Sequence, residues 1–277
     1  MTTRLTVIIP CKDELPNIDA CINSVVGLAD ELIVADSGST DGTLELVQAR
    51  GDCRILEREY VNSANFKNWV IPQATHDWIL VVDADERVTP ELAAEIQRLK
   101  ESGELERTPH DAFSIARRVF FLNQLVRYSG WQHDRVRRLF RKSCGYETRR
   151  VHAELDVAWE KTGYLKSPFE HHTFRSLRHF NAKLERYALW SAEDLFAKGK
   201  RTGWVNLTLR PMFRFFKHYV VQLGFLDGRI GLIISTLLAF SVYQKFAALW
   251  ELECQAATTS APKTLKLPTA QNQRKAA

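Results

Sequence analysis

Three short apolar runs, each stopping abruptly at polar residues, limit what this chain can fold into more than any other feature. Leu5-Thr6-Val7-Ile8-Ile9-Pro10, Glu31-Leu32-Ile33-Val34-Ala35 and Trp78-Ile79-Leu80-Val81-Val82 are rich in β-branched residues and nearly unbroken. Strands buried on both faces of a parallel sheet read this way. Between them, residues 17–28 carry Ile18, Cys21, Ile22 and Val25 at helical spacing. Residues 43–49 read as a second helix that Thr40 or Asp41 can cap, and residues 63–74 as a third. Residues 54–57 read as a short strand, and residues 90–100 as a helix with Pro90 in its first turn. Such alternation predicts an α/β fold with a doubly wound, mostly parallel sheet, whose ligand lies at the carboxyl ends of the strands.

Beyond residue 103 the pattern loosens. Residues 112–120 and 136–140 read as strands around a loop of Tyr, Gly, Trp and His, and residues 176–197 and 204–252 as helical. The expected organisation is an α/β domain over 1–175, a helical extension over 176–254, and a disordered tail over 255–277, where apolar content is low. Cys11, Cys21, Cys53, Cys144 and Cys254 are odd in number and scattered without a C-x-x-C pair. That points to reduced thiols in the cytoplasm and away from a disulfide framework or zinc site. The run 5–9 is too short for a signal-peptide core.

Charge divides the chain. Residues 1–100 hold 9 Lys+Arg against 17 Asp+Glu, a net of −8, and residues 101–277 hold 29 against 16, a net of +13. An acidic front half suits a site that collects a cation, and a basic back half suits phosphorylated substrates or an anionic surface. Arg135, Arg137, Arg138 and Arg141 interleave with Val136, Leu139 and Phe140, as in a half-buried strand. No recognition motif accompanies them, which argues against nucleic acid.

Chemistry concentrates at the strand ends. Asp83 and Asp85 are two residues apart just past a buried strand, so both carboxylates can face one site. Hard oxygen ligands so spaced suit Mg²⁺ or Mn²⁺, with phosphate and water completing the shell. Asp36 closes a neighbouring strand, where it can accept hydrogen bonds from a base or ribose, and the tight turn 37–43 lies behind it. Residues 10–14 end the first strand at the same edge. His152, His171 and His172 are candidates to complete a metal shell.

Three stretches together resemble the family 2 glycosyltransferases of GT-A fold. They are the V-I-I-P run with Lys12-Asp13-Glu14, Val34-Ala35-Asp36-Ser37-Gly38-Ser39-Thr40-Asp41-Gly42-Thr43, and Val81-Val82-Asp83-Ala84-Asp85-Glu86. The resemblance implies nucleotide-sugar contacts from Pro10, Glu14, Asp36, Ser37, Asp83 and Ala84. It implies metal contact from Asp85, with Asp83 reaching ribose or metal; of the histidines, His152 is the one expected as a further ligand. It also implies an inverting transfer in which Asp134 serves as catalytic base, Glu154 being the reserve. The later stretches Tyr128-Ser129-Gly130-Trp131, Asp134-Arg135, Arg138-Leu139-Phe140-Arg141, Val151-His152 and Gly224-Phe225-Leu226-Asp227-Gly228 resemble the bacterial branch that adds β-linked glucose to a heptose of the lipopolysaccharide core. That branch carries Val-His-Glu where this chain has His152-Ala153-Glu154. Trp131, Arg135 and Arg138 are the residues expected to bind acceptor or phosphate.

Residues 230–243 form an uncharged run of 14, short of the ~20 that span a bilayer. The cations and aromatics of residues 210–219 suit a helix lying on anionic lipid. The expected location is therefore peripheral, on the inner face of the cytoplasmic membrane, with a nucleotide-sugar donor and a lipid-linked glycan acceptor as partners. The competing readings are a sugar nucleotidyltransferase and a non-catalytic nucleotide-sugar-binding protein. The first would need a Gly-rich loop where Cys11-Lys12-Asp13-Glu14 stands. A nicotinamide-dependent oxidoreductase would need G-x-G-x-x-G there.

Overall fold

The computed structural model describes residues 2–147 and 154–260. Ten strands form one twisted array: β1 (Leu5–Cys11), β2 (Glu31–Asp36), β3 (Arg54–Glu57), β4 (Trp78–Val81), β5 (Glu86–Val88), β6 (Ala112–Phe121), β7 (Gln124–Leu125), β8 (Arg135–Arg141), β9 (Thr162–Tyr164) and β10 (Phe169–Phe174). The order across the sheet is β3-β2-β1-β4-β8-β6-β10-β5, with β7 and β9 also pairing β6. The block β3-β2-β1-β4 is parallel throughout, and β8 enters antiparallel to both β4 and β6. The sheet is thus mixed and mostly parallel.

The helices are α1 (Leu15–Val25), α2 (Thr43–Arg50), α3 (Ser63–Val70), α4 (Pro90–Glu101), α5 (Glu104–Arg107), α6 (Leu177–Ala197), α7 (Trp204–Leu207), α8 (Leu209–Phe216) and α9 (Gly228–Ser260). Alternate strand residues feed two separate cores, as period-two alternation requires. Leu5, Val7, Ile9, Val34, Leu80 and Val82 pack with Ile18 and Ile22 of α1 and Leu92 and Ile96 of α4. Ile8, Ile33, Ala35, Ile79 and Val81 pack on the other face with Phe66 and Val70 of α3. Each such side chain, fully removed from water, stabilises by roughly 1.5–3 kcal/mol.

Local chemistry sets the helix starts. Asn62 accepts from the Asn65 amide to cap α3, and Thr89 accepts from the Leu92 amide to cap α4, with Pro90 next. Asp41 caps two helices at once, accepting from the Leu15 amide of α1 and the Thr43 amide of α2. Thr40, the other expected cap, instead donates its amide to Asp13.

The back half departs from the sequence reading in three ways. The stretch 204–252 is not one helix: α7 and α8 give way to π-helical residues Lys217–Val221 and a 3₁₀ turn Gly224–Asp227 before α9 starts. Residues 255–260, expected in the tail, belong to α9. The span 224–258 is long and apolar enough by length and composition to cross a membrane, although its longest uncharged run is short, because the helix continues past Lys245.

The chain divides into two compact units, and the division does not fall at residue 175. One unit holds Met1–Phe180 together with His218–Ile234; the other holds Asn181–Lys217 and continues from Ser235. The return of residues 218–234 to the first unit has a local cause. Asp227 accepts from the amides of Arg127 and Tyr128 and from the Ser129 hydroxyl.

Candidate active site

The ends of β1, β2 and β4 converge at one edge because the three strands are parallel and in close register, Cys11 lying opposite Asp36. The loops that leave β1 and β2 are laced together. Asp13, at φ 53°, accepts from the Thr40 amide at 2.8 Å and donates its own amide to the Ser39 hydroxyl at 2.9 Å. The Glu14 amide donates to the Thr43 hydroxyl at 2.9 Å. Pro10 and Ser37 both lie at this junction, Ser37 buried with its hydroxyl donating to the Cys11 carbonyl.

Asp36 is placed at the expected edge but not in the expected state. It is buried, and its carboxylate accepts from the Gly38 and Ser39 amides, both at 2.9 Å, from the Ser39 hydroxyl at 2.5 Å and from the Cys11 thiol at 3.5 Å. Here it shapes the turn behind β2 instead of presenting a free carboxylate to a nucleotide. Glu14, on the facing loop, is less buried than Asp36. It accepts from the Asn17 side-chain amide at 2.6 Å, and burial, only partly offset by that bond, pushes its carboxyl up. Asn17 in turn receives Arg87 at 3.2 Å and Arg175, which also donates to the Pro16 carbonyl at 2.6 Å. These two arginines line the approach to the acidic turn.

Residues 83–86 close β4 in a tight turn, the Glu86 amide donating to the Asp83 carbonyl at 2.7 Å and the Glu86 carboxylate accepting from the Asp83 amide at 3.0 Å. The Ala84 methyl is packed in the core beneath. Asp83 was expected to reach ribose or metal. Instead one oxygen pairs with Lys67 at 2.9 Å and the other with Arg138. Burial alone would raise this carboxyl, but Arg138, Lys67 and Arg117 outweigh it and hold Asp83 well below the usual carboxylate range.

From Asp83 a chain of ion pairs runs without a break: Arg138 to Glu86 at 3.1 Å, Glu86 to Arg117 at 3.2 Å, and Arg117 to Asp134 at 2.9 Å from two separate nitrogens. Glu86 is wholly buried. Three acids and three bases balance, which is what permits so many charges in a dry setting. Arg138 reaches this position because β8 carries one residue more than β6 there: Phe113 faces Leu139 and Ser114 faces Arg137, leaving Arg138 over. An extra residue in one strand re-aims its side chain. Arg138 is thereby a buried member of the network and not the open acceptor- or phosphate-binding cation expected of it.

Asp85 lies apart from this network. Its carboxylate is 3.3 Å from His171 Nε2, and its carbonyl accepts from the His172 amide at 2.8 Å. His171 is delivered by β10, where it pairs with Glu86 of β5, and its buried Nδ1 has no hydrogen-bond partner. A carboxylate oxygen and an imidazole nitrogen facing each other are a donor set that Mn²⁺ or Mg²⁺ accepts, so Asp85 with His171 fits a divalent ion better than Asp83 does. Among the described residues no group of three or more such side chains converges. His172 stacks on Phe120, ring centroids 4.5 Å apart. His152 lies outside the described residues.

Asp134 keeps lone pairs for chemistry despite its bidentate partner, since a carboxylate offers about four acceptor sites and Arg117 uses two. Trp131, three residues earlier, packs among Phe121, Phe174 and Phe180, which anchors the loop rather than leaving the indole open to acceptor. Arg135 stays exposed while donating to the Ser114 and Leu165 carbonyls and covering the Tyr164 ring. Glu154, itself exposed, forms a separate pair at 2.9 Å with the nearly buried Arg137. Lys67, Glu86, Arg117 and Arg175 were not singled out in the sequence. The only signal for them was the adjacency of Glu86 to the Asp-x-Asp pair.

The family model for glycosyl transferase family 2 matches residues 6–166, the stretch that supplies the ends of β1, β2 and β4, while His171 and Arg175 lie beyond it. An uncharacterized glycosyltransferase of Rickettsia bellii is 27% identical over 272 residues, covering 94% of this chain and 91% of that one. The lipopolysaccharide core biosynthesis glycosyltransferase LpsC of Rhizobium meliloti is 27% identical over 269 residues, covering 88% and 93%. Among solved structures, S. aureus TarS residues 1–349 in complex with UDP aligns over 94% of this chain and 93% of that one at 13% identity, with a TM-score of 0.43. With a family match over more than half its length and the Asp-x-Asp turn closing β4 of its mixed sheet, the chain belongs to glycosyl transferase family 2 and has the GT-A fold.

Proposed function

We propose that this protein is a metal-assisted, inverting hexosyltransferase that moves a sugar, in the favoured reading glucose, from a nucleotide-sugar to a lipid-linked glycan of the lipopolysaccharide core. The observation that carries the reading is the ion-pair chain that ties Asp134 to the acidic turn at Asp83. It links the carboxylate read as base to the turn read as diphosphate-binding through one run of ion pairs. Similarity to LpsC along most of both chains supports this choice of acceptor.

In this reading the acceptor hydroxyl forms its bond to the anomeric carbon as the bond from that carbon to the diphosphate oxygen breaks on the opposite side. Asp134 takes the hydroxyl proton as the bond forms, and Arg117 holds the carboxylate in place for it. Arg87 and Arg175, both held on Asn17 beside Glu14, would neutralise charge developing on the leaving nucleoside diphosphate. A divalent ion, Mg²⁺ or Mn²⁺, held by Asp85 and His171, would supply further neutralisation there. Lys67 and Arg138 fix the turn by neutralising Asp83. The C-terminal helices support attachment to the inner face of the cytoplasmic membrane, where a lipid-linked acceptor would be met.

The test is a panel of nucleotide-sugars offered to the purified protein with Mn²⁺ or Mg²⁺. Release of one nucleoside diphosphate, abolished by chelator, is expected. Binding of donor without any release would favour a non-catalytic binding protein, and formation of a nucleotide-sugar from a sugar phosphate would favour a nucleotidyltransferase.

A further inference from the structure

Within the unit formed by Asn181–Lys217 and the chain from Ser235 onward, Lys245 is out of place by composition. It is the one charged residue of α9 between Arg229 and Glu251, and it is half-buried. A charge withdrawn from water is costly unless an opposite charge or hydrogen bonds compensate it. The Lys245 Nζ lies 4.7 Å from the centre of the buried Phe246 ring, and among the described residues it has no ion pair or hydrogen bond.

A second cation shares that ring. Arg210 Cζ lies 5.2 Å from the same centre, and among the described residues it too has no ion pair or hydrogen bond. Arg214 follows Arg210 at i+4 on α8, and both are exposed; like charges so spaced repel. Burial, then Arg214 and Arg210, push the Lys245 ammonium below its ordinary value. The acids nearest in sequence do not offset these charges. Residues 195–217 contain no Asp or Glu, and Glu253, about two turns beyond Lys245 on α9, has its carboxylate on the Thr202 amide at 2.6 Å.

Two helices thus bring cations together around one ring and supply no anion of their own to Lys245 or Arg210. An ammonium beside guanidinium forks matches the tetrahedral oxygens of a phosphate group, which accepts charge-assisted hydrogen bonds from both. Leu209, Met212, Phe213 and Phe216 of α8 stand at i, i+3, i+4 and i+7 and are all exposed, an apolar stripe beside the two arginines. That stripe favours a lipid headgroup as the source of the phosphate.

We propose that Lys245 and Arg210, with Arg214 beside them, form a phosphate-binding site on the helical unit, filled by the phosphate of a lipid headgroup or of a soluble phosphomonoester. The site does not rest on the glycosyl-transfer reading.

Inorganic phosphate titrated calorimetrically into the full-length protein, with ionic strength held constant by chloride, reads the site. The double variant Arg210→Gln, Lys245→Gln is expected to bind phosphate about tenfold more weakly than wild type, and Lys245→Arg to keep the affinity. Phosphate held at the donor edge is common to all three proteins and cancels in the comparison. Arg214→Gln, on the exposed helix face, reports a loss in the same direction if the double variant does not fold. Sedimentation with phosphatidylcholine vesicles, with or without phosphatidylglycerol, separates the sources. A loss of about tenfold in binding to the anionic vesicles by the double variant assigns the headgroup, and equal sedimentation beside a lost phosphate site assigns the soluble phosphomonoester. Equal phosphate affinity together with equal sedimentation would overturn the site. Donor hydrolysis without vesicles is expected to be unchanged in the double variant; its loss would put the effect at the donor edge and overturn the assignment. Wild-type protein that releases no nucleoside diphosphate from any donor would sink the glycosyl-transfer reading alone, because the phosphate titration still decides this one.

Discussion

Asp134 and Asp83 each meet an arginine, but the two pairs do different things. The guanidinium of Arg117 leaves Asp134 partly exposed with acceptor sites in hand, whereas Arg138 and Lys67 engage both oxygens of Asp83. Asp134→Asn is therefore expected to fold and bind nucleotide-sugar while turnover falls by about 10²–10⁴, the usual contribution of a positioned base; near wild-type turnover would reject the assignment. Arg138→Met should instead cost stability, about 3–5 kcal/mol, because it strands the buried Glu86 and one oxygen of Asp83 without their charge partner. A denaturant midpoint close to wild type would show that the network is not under the constraint its burial implies. The residue types at these positions were readable in advance, but their partners were not. Arg117 and Asp134 are 17 positions apart, and Arg138 and Asp83 are 55 apart, so pairing depends on how β4, β6 and β8 register.

Between elements, α4 is tied to the link before β10 by Glu95, whose carboxylate accepts from the Lys166 amide at 3.0 Å and the Ser167 amide at 2.8 Å. Burial opposes the charge, yet these bonds outweigh it and hold the Glu95 carboxyl below its ordinary value. A depressed carboxyl stabilises the fold above its unfolded value of about 4.3, and that contribution is lost as pH falls through the folded value. Glu95→Gln is accordingly expected to lower the urea midpoint near pH 7 and to differ little from wild type near pH 3. An equal deficit at both pH values would mean that shape, not charge, is what Glu95 supplies. The elements themselves were largely legible: strands 5–11, 31–36 and 78–81 coincide with the apolar runs, because a β-branched run flanked by helical periodicity has few other stable uses. The extra residue in β8 was not legible, since nothing in Arg137-Arg138-Leu139 marks which residue the neighbouring strand will skip.

At the scale of the molecule, charge divides the chain into an acidic front half and a basic back half. Seventeen acids in residues 1–100 include those at the carboxyl ends of β1, β2 and β4, and the acid-free stretch 195–226 includes the exposed apolar stripe of α8. The fold makes one chain of them by sending residues 218–234 back to the sheet unit, a return that the sequence boundary near 175 did not foresee. By itself the sequence determined the parallel block β3-β2-β1-β4, the convergence of polar residues at its carboxyl edge, and membership of the family. All of these follow from local periodicity and from where apolar runs stop. Only the tertiary structure decided that Asp36 shapes a turn, that Asp83 is neutralised, that Asp85 meets His171, and that Trp131 supports the fold. Those outcomes depend on which charges and rings are brought within a few ångströms across the sheet, and long-range register is not written in any local stretch of chain.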